Sequence, residues 1–192
     1  LVIAGDVDAT LFRFLTARKN SVPAAFVMLK DTILWRRENN VETALESSPS
    51  PETVDKIRRA ISSAYTGFDY EGSPVYIERS GMLDVSKILS SGITQADLVQ
   101  LHIVNMEYFT NTLCMEASIA KGETMDKVVS IMDVHGIGFR QFTNSDFLAM
   151  FKAMSAIDSN NYPEIMKAVY IVNAPGYFSS AFKLIKKFLD AR

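Results

Sequence analysis

Two apolar runs, Lys127–Val134 and Ala168–Asn173, enclose a stretch from Ser145 to Ile157 in which Phe147, Phe151, Met154 and Ile157 fall on one inward helical face. A strand, a helix and a second strand at this separation form a βαβ unit. Its strands must lie parallel, and the crossover must be right-handed, because a right-twisted strand packs its helix back onto the sheet only that way. A third strand, Pro74–Arg79, follows the turn-like Tyr70–Ser73 and is ended by Gly81. Thr94 to about Ser118 is a long amphipathic helix with Leu98, Leu101, Val104 and Tyr108 on one side. The fold class is therefore α/β, with a mainly parallel sheet flanked by helices.

The first sixty residues have no strand period. Asp6 and Asp8 can cap a helix carrying Leu11, Phe12, Phe14 and Leu15, which ends at Asn20-Ser21. Ser21 with Pro23 starts another, which places Phe26, Leu29 and Ile33 on one stripe and ends near Glu38–Asn40. After the polar linker Ser47–Pro51, Val54, Ile57 and Ile61 again have helical spacing. This divides the chain into an N-terminal helical lobe, 1–62, and an α/β domain, 63–192.

The last stretch carries three signals in series. Asn161-Tyr162-Pro163-Glu164 has the residues of a helix start: Asn161 as cap, Pro163 in the first turn and Glu164 beside the helix's positive end. The second apolar strand follows and Pro175-Gly176 breaks it. A further helix runs from about Phe178 to Leu189, with Phe178, Phe182, Ile185 and Leu189 on one face. Lys183, Lys186 and Lys187 flank that face, and Phe188 lies beside it.

Much chemistry is excluded. There is no nucleophile elbow and no phosphate-binding loop. His102 and His135 lack a Cys or carboxylate at metal-ligand spacing, so no metal site is expected. Gly136-Ile137-Gly138 lacks the third glycine and helix start of a dinucleotide site. Asp133 is best placed to fix the glycine loop by hydrogen bonds. Cys114, the single cysteine, has no disulfide partner within the chain and is expected as a small buried apolar group. A net charge of −2 gives no overall attraction to nucleic acid or anionic lipid, so any basic patch must be local. No apolar run is long enough to span a bilayer. The start lacks both a signal-peptide pattern and an initiating Met, so the chain is expected to be an excerpt of a longer one.

Five separated motifs carry a resemblance over Asp8 to Asp190. They are DATLFRFLTARK (8–19), LKDTILWRREN (29–39), GFDYEGSPVYIERSG (67–81), SIMDVHGIG (130–138), and finally Tyr162-Pro163-Glu164 with its strand ending NAP and the F-rich helix ending in Asp190. The chain resembles the lipid-binding domain of the CRAL-TRIO family, in its branch of phosphatidylinositol/phosphatidylcholine transfer proteins. The resemblance implies a non-enzymatic carrier with an apolar pocket. The sheet is its floor and the F-rich helix its mobile gate, with Phe178, Phe182, Ile185, Phe188, Lys183, Lys186 and Lys187 meeting the membrane. It places Arg18 and Glu164 at a phosphoinositol headgroup, where a guanidinium forks onto phosphate and a carboxylate accepts from ring hydroxyls. It places Tyr65, Tyr76 and Ser130 at a phosphatidylcholine headgroup.

The chain departs from the family pattern in several places. Ser130 replaces a threonine, Val128 stands where transfer proteins can carry serine, and Ala191 stands where proline is common. The family's remaining headgroup threonine and lysine, with a further strand and helix, would follow Arg192, so the α/β domain is expected to be incomplete at its C terminus. Phospholipid is the only ligand expected, without a cofactor. The protein is expected to be a cytoplasmic monomer that associates transiently with membranes. Two rival readings keep the fold: a carrier of one hydrophobic small molecule of tocopherol or retinoid type, and a phosphoinositide-sensing module of a larger protein.

Overall fold

The computed structural model describes residues 1–46, 49–180 and 182–183. Helix α1 (Val7–Ala17) starts where the Asp6 carboxylate accepts the Ala9 N–H at 2.9 Å. Helix α2 (Val22–Glu38) has Ser21 at its N-cap and Pro23 in its first turn. Helix α3 (Pro51–Ala60) is capped by Ser50, whose hydroxyl accepts the Thr53 N–H at 3.2 Å. Strands β1 (Ser63–Phe68) and β2 (Pro74–Glu78) and the short helix α4 (Val85–Ser90) follow. Helix α5 (Gln95–Tyr108) begins with a reciprocal capping box between Thr94 and Asp97. It passes through one π-helical stretch, Phe109–Leu113, into α6 (Cys114–Lys121). Strand β3 (Val128–Asp133), helix α7 (Ser145–Asn161, capped by Asn144) and strand β4 (Met166–Val172) follow.

The sheet order is β1-β2-β3-β4, with β1 antiparallel to β2 and the other two pairs parallel. The parallel β3–α7–β4 unit is the one the periodicity predicts. Strand β1 escapes sequence reading because Ser63-Ala64-Tyr65-Thr66-Gly67 has little apolar alternation. It is an edge strand with a register shift between Tyr65 and Phe68, where Gly67 takes φ +82°. Gly81 meets a different demand: a Cβ there would fall 2.2 Å from the His135 carbonyl oxygen, so the turn after β2 can pass this close to the loop after β3 only as glycine.

Helices α5 and α7 cover one face of the sheet. One core cluster joins Leu98 and Leu101 of α5 to Phe147 and Met150 of α7, with Phe142, Phe151, Met154 and Ile171 against it. A second joins Met106, Phe109, Cys114, Val128, Tyr162 and Ile165. The α7 face chosen from periodicity therefore does turn inward.

The Phe26–Leu29–Ile33 stripe of α2 forms as its spacing implies, and it lies on the outward side: Phe26 and Ile33 are exposed, while Ala25, Met28, Thr32 and Arg36 are buried. The inner side of α2 combines a small apolar cluster, Ala25 and Met28 against Phe14 of α1, with polar contacts that periodicity cannot register. One expectation is overturned. Asn161–Glu164 does not start a helix. It ends α7, and Pro163 is the reason: a proline disfavours helical geometry in the residue before it and offers no N–H to continue a helix. Tyr162 accordingly leaves helical geometry at φ −126°, ψ 58°, and Glu164 takes φ +58° just before β4. The Asn161 side chain donates back to the Ile157 carbonyl at 3.1 Å rather than capping a new helix.

Candidate functional site

Strand register assembles one row across the sheet. Tyr65 pairs with Tyr76, Tyr76 with Ser130, and Ser130 with Val169. Directly paired residues project to the same face, so these side chains lie in line on the face covered by α5 and α7. The two tyrosine rings are 5.0 Å apart at 52°, and Tyr65 stacks on Phe109 at 6.1 Å and 7°. Ser130 is buried. The Tyr76 hydroxyl donates to Glu78 Oε2 at 3.2 Å, and Ser80 donates to Glu78 Oε1 at 2.6 Å. Burial pushes both phenols above their ordinary range, with Tyr76 adding to the rise at Tyr65 and the Glu78 charge at Tyr76. Both therefore stay neutral hydrogen-bond donors at physiological pH. The Tyr65 phenol and the Ser130 hydroxyl can donate to a phosphate oxygen, while the Tyr76 proton is committed to Glu78; the two rings beside an aromatic wall can hold a quaternary ammonium by cation–π contact. Val128, two residues before Ser130 on the same face, adds no donor.

Arg18 and Glu164 lie in different surroundings. Arg18 ends α1, with its Nη1 donating to the Ala17 carbonyl at 3.1 Å. It lines a crevice of about 440 Å³ with Asp31, Trp35, Asn160 and Asn161, between α2 and α7. Glu164 is not among the residues lining that crevice. Its carboxylate acts electrostatically on Arg13, a residue the sequence reading passed over. Arg13 is buried on α1, donates from Nη1 to the Asp126 carbonyl at 3.3 Å, and leaves its Nε without a partner. Burial lowers its guanidinium from the ordinary value. The signal was present in the sequence: an arginine between Phe12 and Phe14, on a helix otherwise carrying apolar residues there.

A buried polar junction was also missed. Arg36 of α2 reaches Glu107 of α5 through two parallel bonds, Nη1 to Oε1 at 2.8 Å and Nη2 to Oε2 at 2.9 Å, with both side chains 4% exposed. Tyr162 donates to Glu107 Oε1 at 2.7 Å and Asn111 to Oε2 at 2.9 Å, and Arg36 Nε also donates to Glu42 at 2.7 Å. Burial would raise the Glu107 carboxyl and lower the Arg36 guanidinium. Their mutual bonds outweigh that, holding Glu107 below and Arg36 above the ordinary values. The junction ties the helical lobe to the π-helical stretch and to the tyrosine that precedes Pro163-Glu164. Its sequence trace is a lone acid in the apolar run Ile103–Phe109.

The segment expected to form a gate is described only at its start. Residues 178–180 and 182–183 are helical; Ile185, Lys186, Lys187 and Phe188 lie outside the described residues. The Phe178 ring meets Phe142 at 6.0 Å and Phe182 at 5.6 Å, and Lys183 is exposed. The Tyr177 hydroxyl donates to the Ile137 carbonyl, which joins this segment to the glycine loop. Asp133 fixes the same region: its Oδ1 accepts the His135 N–H at 3.0 Å and the Asn173 amide at 2.9 Å. Cys114 is buried on α6 and burial pushes its thiol up to about 12. Among the described residues no group of His, Cys, Asp and Glu could hold a metal ion, and no helix is long and apolar enough to cross a membrane.

A helical lobe joined to a mainly parallel sheet, whose covered face carries a tyrosine–tyrosine–serine row, defines an α/β domain with a candidate ligand-binding face. A model of the CRAL/TRIO domain matches residues 59–192, and one of the CRAL/TRIO N-terminal domain matches residues 3–31. The chain belongs to the CRAL/TRIO domain family. It is 34% identical to the Arabidopsis thaliana phosphatidylinositol/phosphatidylcholine transfer protein SFH4 over 182 residues, covering 95% of this chain and 29% of that protein. It is 33% identical to the SEC14 cytosolic factor of Eremothecium gossypii, covering 95% of this chain and 58% of that one. A crystal structure of Sfh5 superposes with a TM-score of 0.73 at 22% identity, over 96% of this chain and 60% of that chain, and shares the fold.

Proposed function

We propose that this chain binds phospholipid and carries it between membranes, without catalysing a reaction or using a cofactor. Phosphatidylinositol is its first ligand and phosphatidylcholine its second. The observation that carries the reading is the register-built row Tyr65–Tyr76–Ser130, which sets two hydroxyl donors, Tyr65 and Ser130, and the Glu78-held Tyr76 ring beside an aromatic wall on the covered sheet face. Membership of the family, and relatives named as transfer proteins for these two lipids, support it. Acyl chains leave one apolar solvent for another and discriminate weakly, so selectivity rests on the headgroup. Arg18 and Glu164 serve the inositol phosphate; Tyr65, Tyr76 and Ser130 serve the choline lipid. The helix begun by Phe178 and Phe182 covers the mouth and meets the membrane, with Lys183 at the phosphates. The protein works as a monomer in the cytoplasm and visits membranes briefly.

Mass spectrometry of lipid extracted from the purified protein, with vesicle-to-vesicle transfer of each lipid, tests this. Phosphatidylinositol is the expected extract. Tyr65→Phe with Ser130→Ala removes two hydroxyl donors at about 1 kcal/mol each, so phosphatidylcholine transfer should fall roughly thirtyfold while phosphatidylinositol transfer holds. Recovery of a single non-phospholipid hydrophobe, or no loss in the double variant, would overturn the assignment.

A further inference from the structure

The outward face of α2 shows side chains that a helix of a soluble domain ordinarily hides. Val22 and Phe26 are 66% exposed, Val27 55%, Leu34 44% and Ile33 37%. Lys30 and Arg37 are exposed on the same face, and neither forms an ion pair with a described residue. With about 100° per residue, the two cations stand between a Val22–Phe26–Ile33 row and a Val27–Leu34 row. Phe26, Leu29, Lys30, Ile33, Leu34 and Arg37 line a shallow groove of about 260 Å³. The helix cannot roll to hide this face, because Arg36 on its inner side is locked to Glu107 and the Thr32 hydroxyl donates to the Asn160 carbonyl at 3.0 Å.

We propose that this face of α2 is a second membrane-contact surface, separate from the gate, that docks on an anionic bilayer. The apolar rows enter the boundary between headgroups and acyl chains, and Lys30 and Arg37 meet lipid phosphates and carboxylates. Charge and shape together select this occupant. Covering the face strips water from two cations set among apolar groups, so whatever covers it must bring anions to both. A bilayer supplies mobile anions at any spacing. The groove is shallow and formed by one helix, so the face offers a stripe that a deformable surface can follow and a rigid protein partner covers poorly. The inference adds to the carrier reading without resting on it.

Co-sedimentation with vesicles of phosphatidylcholine, with and without phosphatidylserine, tests the proposal on the full chain. The wild type should pellet with the anionic vesicles. Lys30→Gln with Arg37→Gln should weaken that binding roughly thirtyfold, and Phe26→Ser with Ile33→Ser about tenfold. All four side chains are exposed, so circular dichroism and melting should match the wild type; should the serine pair melt early, Phe26→Ser alone replaces it. Equal pelleting of the variants, or pelleting indifferent to phosphatidylserine, would sink the proposal. So would concentration-dependent dimers that Phe26→Ser dissolves without any vesicle binding, since these would give the face to a second copy. Loss of vesicle binding with bound phospholipid retained supports the second surface. A protein that pellets through α2 yet never carries phospholipid counts against the carrier reading alone.

Discussion

Helices α2 and α7 are each 17 residues long, pack against one another, and carry a row of large apolar side chains at helical spacing. In α7 the row points into the core. In α2 it points to solvent, and the buried side holds Thr32 and Arg36 beside Ala25 and Met28. The difference lies in what each inner face meets. Opposite Phe147 stand Leu98, Leu101 and Phe142, which can only exclude water. Opposite Arg36 stands Glu107, which supplies two charge-assisted bonds and accepts two more from Tyr162 and Asn111. An inner face that sets fully partnered Thr32 and Arg36 beside the small apolar contact of Ala25 and Met28 with Phe14 can be buried, and once it is, the Phe26–Ile33 row of the same helix looks outward.

The largest test breaks the polar side of that contrast. Glu107→Ala leaves Arg36 buried without its main partner and should cost about 3–5 kcal/mol in chemical or thermal unfolding, because a buried charge that loses its counter-charge keeps its desolvation penalty. Replacing both residues by Met should recover much of the loss. The pH dependence has a definite sign. The folded Glu107 carboxyl lies below its ordinary 4.5, so its contribution is full above that value and is lost as pH falls through the folded one. Glu107→Gln should flatten that part of the acid limb. A single-variant cost under about 1 kcal/mol would remove the polar explanation for the orientation of α2.

A second test sharpens the comparison on its apolar side. Phe147→Ala should cost about 3–5 kcal/mol by opening a cavity, and Phe26→Ala should stay within about 0.5 kcal/mol. Equal costs in a denaturant titration would mean that both rows are buried in solution.

The smallest effect is at His102, where α5 meets α7 through a 2.6 Å contact to Asp158. Burial would lower its imidazole, but the charge and hydrogen bond of Asp158 leave it above the ordinary 6.5. Stability from this pair is therefore full below 6.5 and fades as pH rises through the folded value. Asp158 is partly exposed, so the effect should stay below about 1 kcal/mol. His102→Gln should abolish this slope in melting curves taken from mildly acidic to mildly basic pH. An unchanged slope would place the titrating group elsewhere.

Local chemistry had made some features legible. The helix start at Thr94, the Asp6 cap and the β3–α7–β4 unit depend on neighbouring residues or on one period, and each stands where the residues put it. Tyr65, Tyr76 and Ser130 came from a family resemblance, and only strand pairing put them in one row. Tyr162-Pro163-Glu164 misled because a proline near a polar cap marks both starts and stops. Which applied depended on whether the preceding helix reached it, and α7 runs to Asn161.

By itself the sequence determined what acts over a few residues: caps, breaks, strand and helix periods, and the single handed crossover open to a strand–helix–strand run. Only tertiary structure decided which side of α2 is inside, that Glu107 gathers four bonds, and that three residues far apart in the chain share one face. The physical reason is that burial and ion pairing are properties of partners, and the partners of Arg36 and Tyr76 are brought to them only by the folded chain.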